Sequence, residues 1–425
     1  MVPGHIFREY DIRGLHESEL TDPVAESVGR AFATLIREGR AAGAGGARVA
    51  LGRDVRPSSE RLERAVEQGI VSAGLAVQKT GVVPTPALYY AVAARRLDGG
   101  LQVTGSHNPP EFNGFKMTRA KLPLFGAEIQ EMRERIAGGR LRSAPGGTVT
   151  PQVFERMGHR VTALYPELDG TFPNHLAVPT VPALLVDLIA AVKQNGAELG
   201  IGFDGDADRI GAVDAGGRIV FGDQLLALFA RDVLTRVPGG EIIFDVKCSQ
   251  ALSEDIAAHG GKPSMWKTGH SLLKSRLQET GAPLAGEMSG HICFQEGYFG
   301  YDDALFAAGR LLRYLSAGNQ SLAEMLDSLP RYVSTPETRL PCPEEKKFAV
   351  VEELRKEFAA RYRVIDIDGV RVEFGDGWGL ARASNTQPVI VVRFEAKTQA
   401  RLEEIRETFM APLRRLVVDD RAVAH

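Results

Sequence analysis

Cysteine is scarce in this chain: Cys248, Cys293 and Cys342 are the three in 425 residues, and none forms a CxxC pair. That excludes a disulfide framework or a cysteine-rich zinc site, and the scattered, odd number reads as reduced thiols in a cytoplasmic protein. No stretch approaches the ~20 apolar residues of a membrane span. The apolar segment from Leu184 to Val192 is interrupted by Asp187. Neither sign of charge prevails: 51 Lys and Arg against 54 Asp and Glu leave a net charge of -3. Such a balance gives no electrostatic footprint for nucleic acid or a membrane surface. Met1-Val2-Pro3-Gly4-His5 carries no apolar signal region. There is no low-complexity segment. The hydrophobic share of 44% with 25% charged residues is that of a globular protein, and the length suggests three or four domains.

A βαβαβ pattern recurs along the chain. In the first copy, Arg48 to Gly52 reads as a buried strand. Ser58 and Ser59 are candidate N-caps for a helix with Leu62, Val66, Ile70 and Val71 on one face, ended by Gly74. Leu75 to Thr80 is the next strand. Thr85 and Pro86 are the N-cap and first turn of a second helix, and Leu101 to Val103 is the third strand. A later copy has the same order: strand Ile242 to Val246, helix Ser249 to Ala258, strand Ser264 to Lys267, a helix capped by Ser271, and strand Pro283 to Ala285.

The copy between them is incomplete. Val161 to Tyr165 reads as a strand after a short helix from Pro151 to Met157. Thr180 and Pro182 open a helix ended by Gly196, and Leu199 to Phe203 is a strand. Where a further strand belongs, Leu141 to Val149 offers Pro145, Gly146 and Gly147, which make a poor central strand. The C-terminal part is an α+β module instead: an amphipathic helix from Lys347 to Tyr362, strands Tyr362 to Ile367 and Val370 to Phe374 around the turn Asp368-Gly369, a strand from Val389 to Phe394, and a final helix marked by Leu402, Ile405 and Phe409.

Each repeat runs into a loop dense in functional groups, and ligands of open α/β units bind beyond the carboxyl ends of the strands. The first loop holds Ser106-His107-Asn108 between Gly105 and Pro109-Pro110, with Lys116 ten residues on. A rigid, exposed serine suits phosphoryl transfer through a covalent intermediate; an ordinary polar turn reads equally well. Adjacency of Ser106 and His107 does not imply a hydrolase triad, since neighbouring side chains seldom face each other. In the second loop, Asp204, Asp206 and Asp208 alternate, so an extended backbone turns all three to one face. Oxygen ligands alone suit Mg²⁺ or Ca²⁺ rather than zinc. An EF-hand fails, because Arg209 and Ala215 stand where Gly and Glu are needed. The third loop carries Glu287, Ser289 and His291, groups that could hydrogen-bond sugar hydroxyls or simply cap a turn. In the last module, Arg382, Ser384, Asn385 and Thr386 have the composition of a phosphate cradle. Arg8, Tyr10 and Arg13 could line a polyanion site or form surface ion pairs.

Taken together, the segments FREYDIRG, TGSHNPPEFNGFK, DGTFPNH, FDGDADR, DVKCSQAL, MWKTGHSLLK, GEMSGH, FGYDDA and RASNTQPVIVVRFEA resemble the α-D-phosphohexomutase family, and within it the bacterial phosphomannomutase/phosphoglucomutase branch. The resemblance implies three repeated α/β domains plus a C-terminal α+β domain around a central cleft, here residues 1–149, 150–219 (shortened by a strand), 220–332 and 333–425. It implies Ser106 as the phosphoserine, with Asp204, Asp206 and Asp208 binding Mg²⁺ together with it. Arg209 belongs to the same site, and Lys116 and His291 are the proton-transfer groups. Glu287 and Ser289 grip sugar hydroxyls. Arg382, Ser384, Asn385 and Thr386 hold the phosphate that stays, and Tyr10, Arg13, Lys247 and His270 complete the pocket. The implied reaction interconverts hexose 1-phosphate and hexose 6-phosphate of mannose or glucose, through glucose 1,6-bisphosphate or mannose 1,6-bisphosphate. A cytoplasmic monomer is expected. The competing readings are a phosphoglucosamine mutase, a sugar-phosphate-binding protein whose turnover is impaired by the shortened second domain, and a phosphatase using Ser106.

Overall fold

The computed structural model describes residues 2–39, 46–120, 122–141, 162–165, 169–384 and 387–418. These form two compact units, discontinuous in sequence. The first comprises Met1–Gly222, Lys274–Leu284 and Ser289–Ala323; the second comprises Asp223–Leu273, Ala285–Met288 and Glu324–His425.

The chain begins with β1 (Ile12–Leu15), α1 (Asp22–Glu38), β2 (Arg48–Arg53), α2 (Ser59–Ser72), β3 (Ala76–Val82), α3 (Thr85–Ala94), β4 (Gly99–Val103), β5 (Phe112–Arg119), β6 (Leu122–Pro123) and α4 (Ala127–Ala137). The sheet has the order β1-β5-β4-β2-β3, with β6 on β5. Strand β2 runs parallel to β3 and β4, as the βαβαβ reading requires, but β5 returns antiparallel beside β4. Leu51, Leu101 and Val103 of the sheet pack with Phe32 and Ile36 of α1 and Leu62, Val66 and Ile70 of α2. The caps differ from expectation. Ser58 is at the N-cap of α2, yet no side-chain bond caps that helix; the Ser58 and Ser59 hydroxyls accept from Asn113 Nδ2 instead, at 2.8 and 2.9 Å. Pro84, not Thr85, is the N-cap of α3.

Next come α5 (Val186–Asn195), β7 (Leu199–Phe203), β8 (Ile210–Asp214) and β9 (Ile219–Val220), the three strands forming an antiparallel sheet in that order. The helix expected from Thr180 is a 3₁₀ turn over Pro182–Leu184 followed by α5, broken at Leu185 (φ −107°, ψ 4°). The strand expected at Val161 to Tyr165 is absent over residues 162–165, and Tyr165 has φ +53°, which no strand accommodates. The expected short helix at residues 151–157 and the strand-poor segment at 142–149 lie outside the described residues.

The remaining elements are α6 (Gly222–Leu234), β10 (Glu241–Asp245), α7 (Gln250–Ala258), β11 (Lys262–Trp266), α8 (His270–Thr280), β12 (Leu284–Gly286), β13 (Ile292–Phe294), α9 (Ala304–Ala317), α10 (Leu322–Asp327), β14 (Val333–Ser334), β15 (Thr338–Pro341), α11 (Lys347–Ala359), β16 (Arg363–Ile365), β17 (Val370–Glu373), β18 (Gly377–Ala383), β19 (Val389–Ala396) and α12 (Gln399–Val418). Strands β10 and β11 pair in parallel. Ser249 caps α7 by accepting from Ala251 N at 3.0 Å, whereas Ser271, expected as a cap, is already the second residue of α8. The terminal sheet is antiparallel, in the order β14-β19-β18-β17-β16 with β15 on β19. Its apolar face packs on α11 and α12 through Leu354, Phe358, Ile405 and Phe409.

Candidate active site

The loop after β4 owes its shape to a side chain fifty residues upstream. Arg56 is 1% exposed. Its guanidinium donates to the carbonyls of Ser106 (2.7 Å), Asn108 (2.5 Å), Pro109 (2.7 Å) and Phe112 (3.1 Å), and to Asp54 Oδ2 (3.1 Å). Asp54 Oδ2 also accepts from Gly105 N at 3.1 Å, and Arg13 donates to the Gly105 carbonyl at 2.8 Å. Held this way, Ser106 adopts φ +51°, a left-handed conformation costing a non-glycine residue roughly 1–3 kcal/mol unless its surroundings enforce it. The twist brings Ser106 Oγ within 3.1 Å of His107 Nδ1, so these neighbours do meet, contrary to the expectation from adjacency. Arg209, then burial, holds the His107 pKa far below the ordinary imidazole range, which leaves the ring neutral.

The aspartate loop closes on the same point. Ser106 Oγ donates to Asp204 Oδ2 at 3.2 Å. A Cβ on Gly205 would lie 2.5 Å from the Ser106 carbonyl oxygen, so the two loop backbones touch where only glycine fits. Carboxylate oxygens of Asp204, Asp206 and Asp208 all lie within 4.8 Å of one another and are buried. Because β5 doubles back along β4, with Lys116 opposite Gln102, the Lys116 ammonium reaches this cluster. It donates to Asp206 Oδ2 at 2.9 Å and also to Asp208 Oδ2. Burial alone would lower the Lys116 pKa, but Asp206 and Asp208 raise it well above the usual lysine value.

The three carboxylates are not equivalent. Burial, then the charges of Asp208 and Asp206, raise the Asp204 pKa well above the carboxylate range. Asp206 is driven up by burial and by Asp208, but the Lys116 ammonium and a hydrogen bond from Thr85 outweigh both and hold it low. Thr85, expected as a helix cap, instead donates its hydroxyl to Asp206 Oδ2 at 2.5 Å and its N–H to the Asp206 carbonyl at 2.9 Å. Asp206 Oδ1 is buried with no hydrogen-bond partner among the described residues. An all-oxygen donor set, an orphaned buried carboxylate oxygen and too little positive charge fit a hard divalent cation such as Mg²⁺.

Arg209 and His291 adjoin this cluster. Arg209 Nε lies 3.8 Å from Asp204 Oδ2 and donates to His291 Nε2 at 3.0 Å. Gly290, beside His291, is tied to β8 by a bond from Ile210 N at 3.0 Å. Tyr10, Arg13 and Ser289 belong to the same unit and are partly buried.

The second unit holds the other expected groups. Lys247 is 3.3 Å from Glu337 Oε2 and 3.8 Å from Asp245 Oδ2. Glu287 Oε1 accepts from Gly269 N at 2.7 Å, next to His270 at the start of α8. Arg382 Nε donates to Asp368 Oδ2 at 2.9 Å, an oxygen that also accepts from Thr268 N at 3.0 Å. Lys347 donates to the carbonyls of Ser384 (2.5 Å) and Gln387 (3.2 Å), which brackets the expected cradle; Asn385 and Thr386 lie outside the described residues. Sequence reasoning missed Arg56, Thr85, Lys347 and Asp368 as parts of these sites. Asp368 had registered only as a turn residue.

The chain matches the phosphoglucomutase/phosphomannomutase alpha/beta/alpha domain I over residues 4–142, domain II over 131–217, domain III over 221–332 and the C-terminal domain over 337–411. It belongs to the phosphoglucomutase/phosphomannomutase family. Among curated relatives, a phosphomannomutase/phosphoglucomutase of Pseudomonas aeruginosa is 43% identical over 450 residues, covering 97% of this chain and 96% of that protein. A phosphoglucomutase of Neisseria gonorrhoeae is 44% identical over 451 residues, covering 96% and 97%. Both alignments exceed the 425 residues of the chain, so this member is gapped against those relatives. A crystal structure of a family protein from Burkholderia thailandensis superimposes with a TM-score of 0.91 at 39% identity, covering 98% of each chain. The family therefore accounts for the fold of repeated α/β domains with a C-terminal α+β domain. No helix among the described residues is long and apolar enough to cross a membrane.

Proposed function

We infer that this chain is a phosphohexomutase that interconverts the 1- and 6-phosphates of mannose, glucose or both through a phosphoserine enzyme. The observation that carries this reading is the 3.2 Å approach of Ser106 Oγ to Asp204 within a buried cluster of three carboxylates, in a member of this family. Relatives at 43–44% identity named for phosphomannomutase or phosphoglucomutase favour those sugars over glucosamine phosphate. The divisions at residues 219 and 332 fall between successive domain matches, whereas the domain II match begins at residue 131, upstream of the division at 149, which rests on the sequence reading alone. The three buried free thiols support a cytoplasmic location.

In this reading Ser106 carries the phosphoryl group and passes it to the free hydroxyl of a hexose phosphate. The 1,6-bisphosphate turns end for end, and Ser106 recovers the other phosphate. The Arg56 clamp keeps the serine oxygen in one place, so orientation contributes to the rate. Asp204, Asp206 and Asp208 would hold Mg²⁺, which when bound offsets charge on the transferring group. Lys116 and Arg209 add positive charge beside it. Lys116 and His291 are the groups assigned to move the hydroxyl proton. Glu287, Ser289, Tyr10, Arg13, Lys247 and His270 are assigned to the sugar and its charges. Arg382 and Ser384, with Asn385 and Thr386, are assigned to the phosphate that stays; a phosphate there would compete with Asp368 for Arg382. The chain is expected to act as a monomer.

Mass spectrometry of the purified chain, with a mutase assay primed by glucose 1,6-bisphosphate, tests the assignment. One phosphoryl group, about 80 Da, is expected on Ser106, and Ser106→Ala is expected to abolish isomerisation. Phosphate on another residue, or near-normal turnover of Ser106→Ala, would remove Ser106 as the nucleophile.

A further inference from the structure

A buried charge relay stands behind His291, all within the first compact unit. Arg209 Nε donates to His291 Nε2 at 3.0 Å. A guanidinium has donors and no acceptor, so Nε2 must offer its lone pair, and the neutral ring carries its proton on Nδ1. The surroundings of Nδ1 agree. Asp302 Oδ2 lies 3.0 Å from it and Asp208 Oδ1 3.8 Å. The other oxygen of Asp302 accepts from Lys274 Nζ at 2.7 Å. Asp302 is fully buried, and His291 and Lys274 are each 2% exposed. The face of the Tyr89 ring, 4.9 Å from Lys274 Nζ, lies against the ammonium. Carboxylate oxygens thus lie beside one ring nitrogen, at ion-pair distance rather than in a hydrogen bond, and a donor faces the other, so a lone pair on Nδ1 would meet carboxylate charge and the Nδ1–H tautomer suits both sides of the ring.

We propose that Asp302, backed by Lys274, is a positioning residue that locks His291 as the Nδ1–H tautomer, with its Nε2 lone pair directed at Arg209. The carboxylate acts on the ring as an orienting partner acts on a catalytic imidazole: it selects which nitrogen is bare. Lys274 supplies the charge without which an ionised carboxylate would be buried alone. The structural claim stands on these contacts; its kinetic consequence rests on the proton-transfer role assigned to His291 above.

Histidine-selective ¹⁵N labelling of the full chain and long-range ¹H–¹⁵N spectra read the tautomer directly, with His291→Gln used to assign the signals. Wild type is expected to show a protonated Nδ1 and a bare Nε2 at residue 291. In Asp302→Asn, the amide cannot face both Nδ1–H and the Lys274 ammonium with an acceptor, so the tautomer is expected to mix or invert. Turnover is then expected to fall on the order of 10²-fold, the scale of a general acid–base contribution, with KM for glucose 1-phosphate little changed. If Asp302→Asn does not fold, Lys274→Met is expected to disturb the tautomer and Lys274→Arg to restore it. A wild-type Nε2–H tautomer, or one unmoved in both Asp302→Asn and Lys274→Met, overturns the proposal. A tautomer that changes while turnover does not would support the positioning claim and instead remove His291 from proton transfer.

Discussion

Replacing Gly205 by alanine tests whether the serine and aspartate loops are set against each other as tightly as described. The added methyl would sit 2.5 Å from the Ser106 carbonyl oxygen and 3.3 Å from Phe172 Cζ. The first contact lies far inside van der Waals distance and involves backbone, so no side-chain rotation relieves it. The Ser106 carbonyl has little room to yield, because Arg56 binds it at 2.7 Å. Overpacking of this kind costs about 1–3 kcal/mol of stability. Turnover is expected to suffer more: a shift of roughly 1 Å between reacting groups can cost ~10²-fold, and here it would part Ser106 Oγ from the Asp204 carboxylate. Coupled mutase assays, with urea denaturation run alongside, separate the two effects. Gly309→Ala is the control: nothing lies within 4 Å of its added methyl in α9, and alanine there gains up to ~1 kcal/mol in helix propensity. Gly205→Ala turning over at the rate of the Gly309→Ala control would refute the tight apposition.

Two further outcomes follow from the electrostatics. Lys116→Met leaves buried carboxylates without the ammonium between Asp206 and Asp208; a loss of about 3–5 kcal/mol is expected, smaller with Mg²⁺ than with chelator. Denaturation curves under both conditions check this, and equal losses would argue against a shared cation site. The second outcome concerns pH. A group such as Asp204, with its folded pKa raised by burial and two neighbouring carboxylates, favours folding below its unfolded value and loses that contribution as pH rises through the folded value. Metal ligands bind ionised, so the increase in Tm on adding Mg²⁺ should keep growing as the pH rises above the ordinary carboxylate range. A Mg²⁺ increment that stays flat above that range would contradict the raised Asp204.

Local signals carried much of the fold. The alternation of β2, α2, β3, α3 and β4 was legible because buried strands and glycine-ended helices punctuate that stretch, and the same holds from β10 to β12. Elements without such signals were missed. Strand β18 reads Gly-Trp-Gly-Leu-Ala-Arg-Ala, too glycine-rich to announce a strand, although every residue in it is buried. Strand β5 was hidden because its polar residues Asn113, Lys116 and Thr118 look like loop, yet all three are buried and Lys116 and Asn113 spend their polarity on the site and its scaffold. The aspartates and Ser106 stood out through local spacing. Arg56 and Thr85 did not, since each acts on a partner at least fifty residues away, and nothing near them in the chain marks that partner. Thr85 shows the limit: beside Pro86 it looks like a helix cap, and only the tertiary fold brings Asp206 to its hydroxyl.

The arginine at position 56 has an implication for engineering. The unusual twist of the nucleophile is stored outside the nucleophile's own loop, in five hydrogen bonds from one upstream side chain. Transplanting the segment from Thr104 to Lys116 into a foreign scaffold would carry the reactive hydroxyl but not the mould that shapes it, leaving four backbone oxygens to seek other donors and the serine to relax into an ordinary turn.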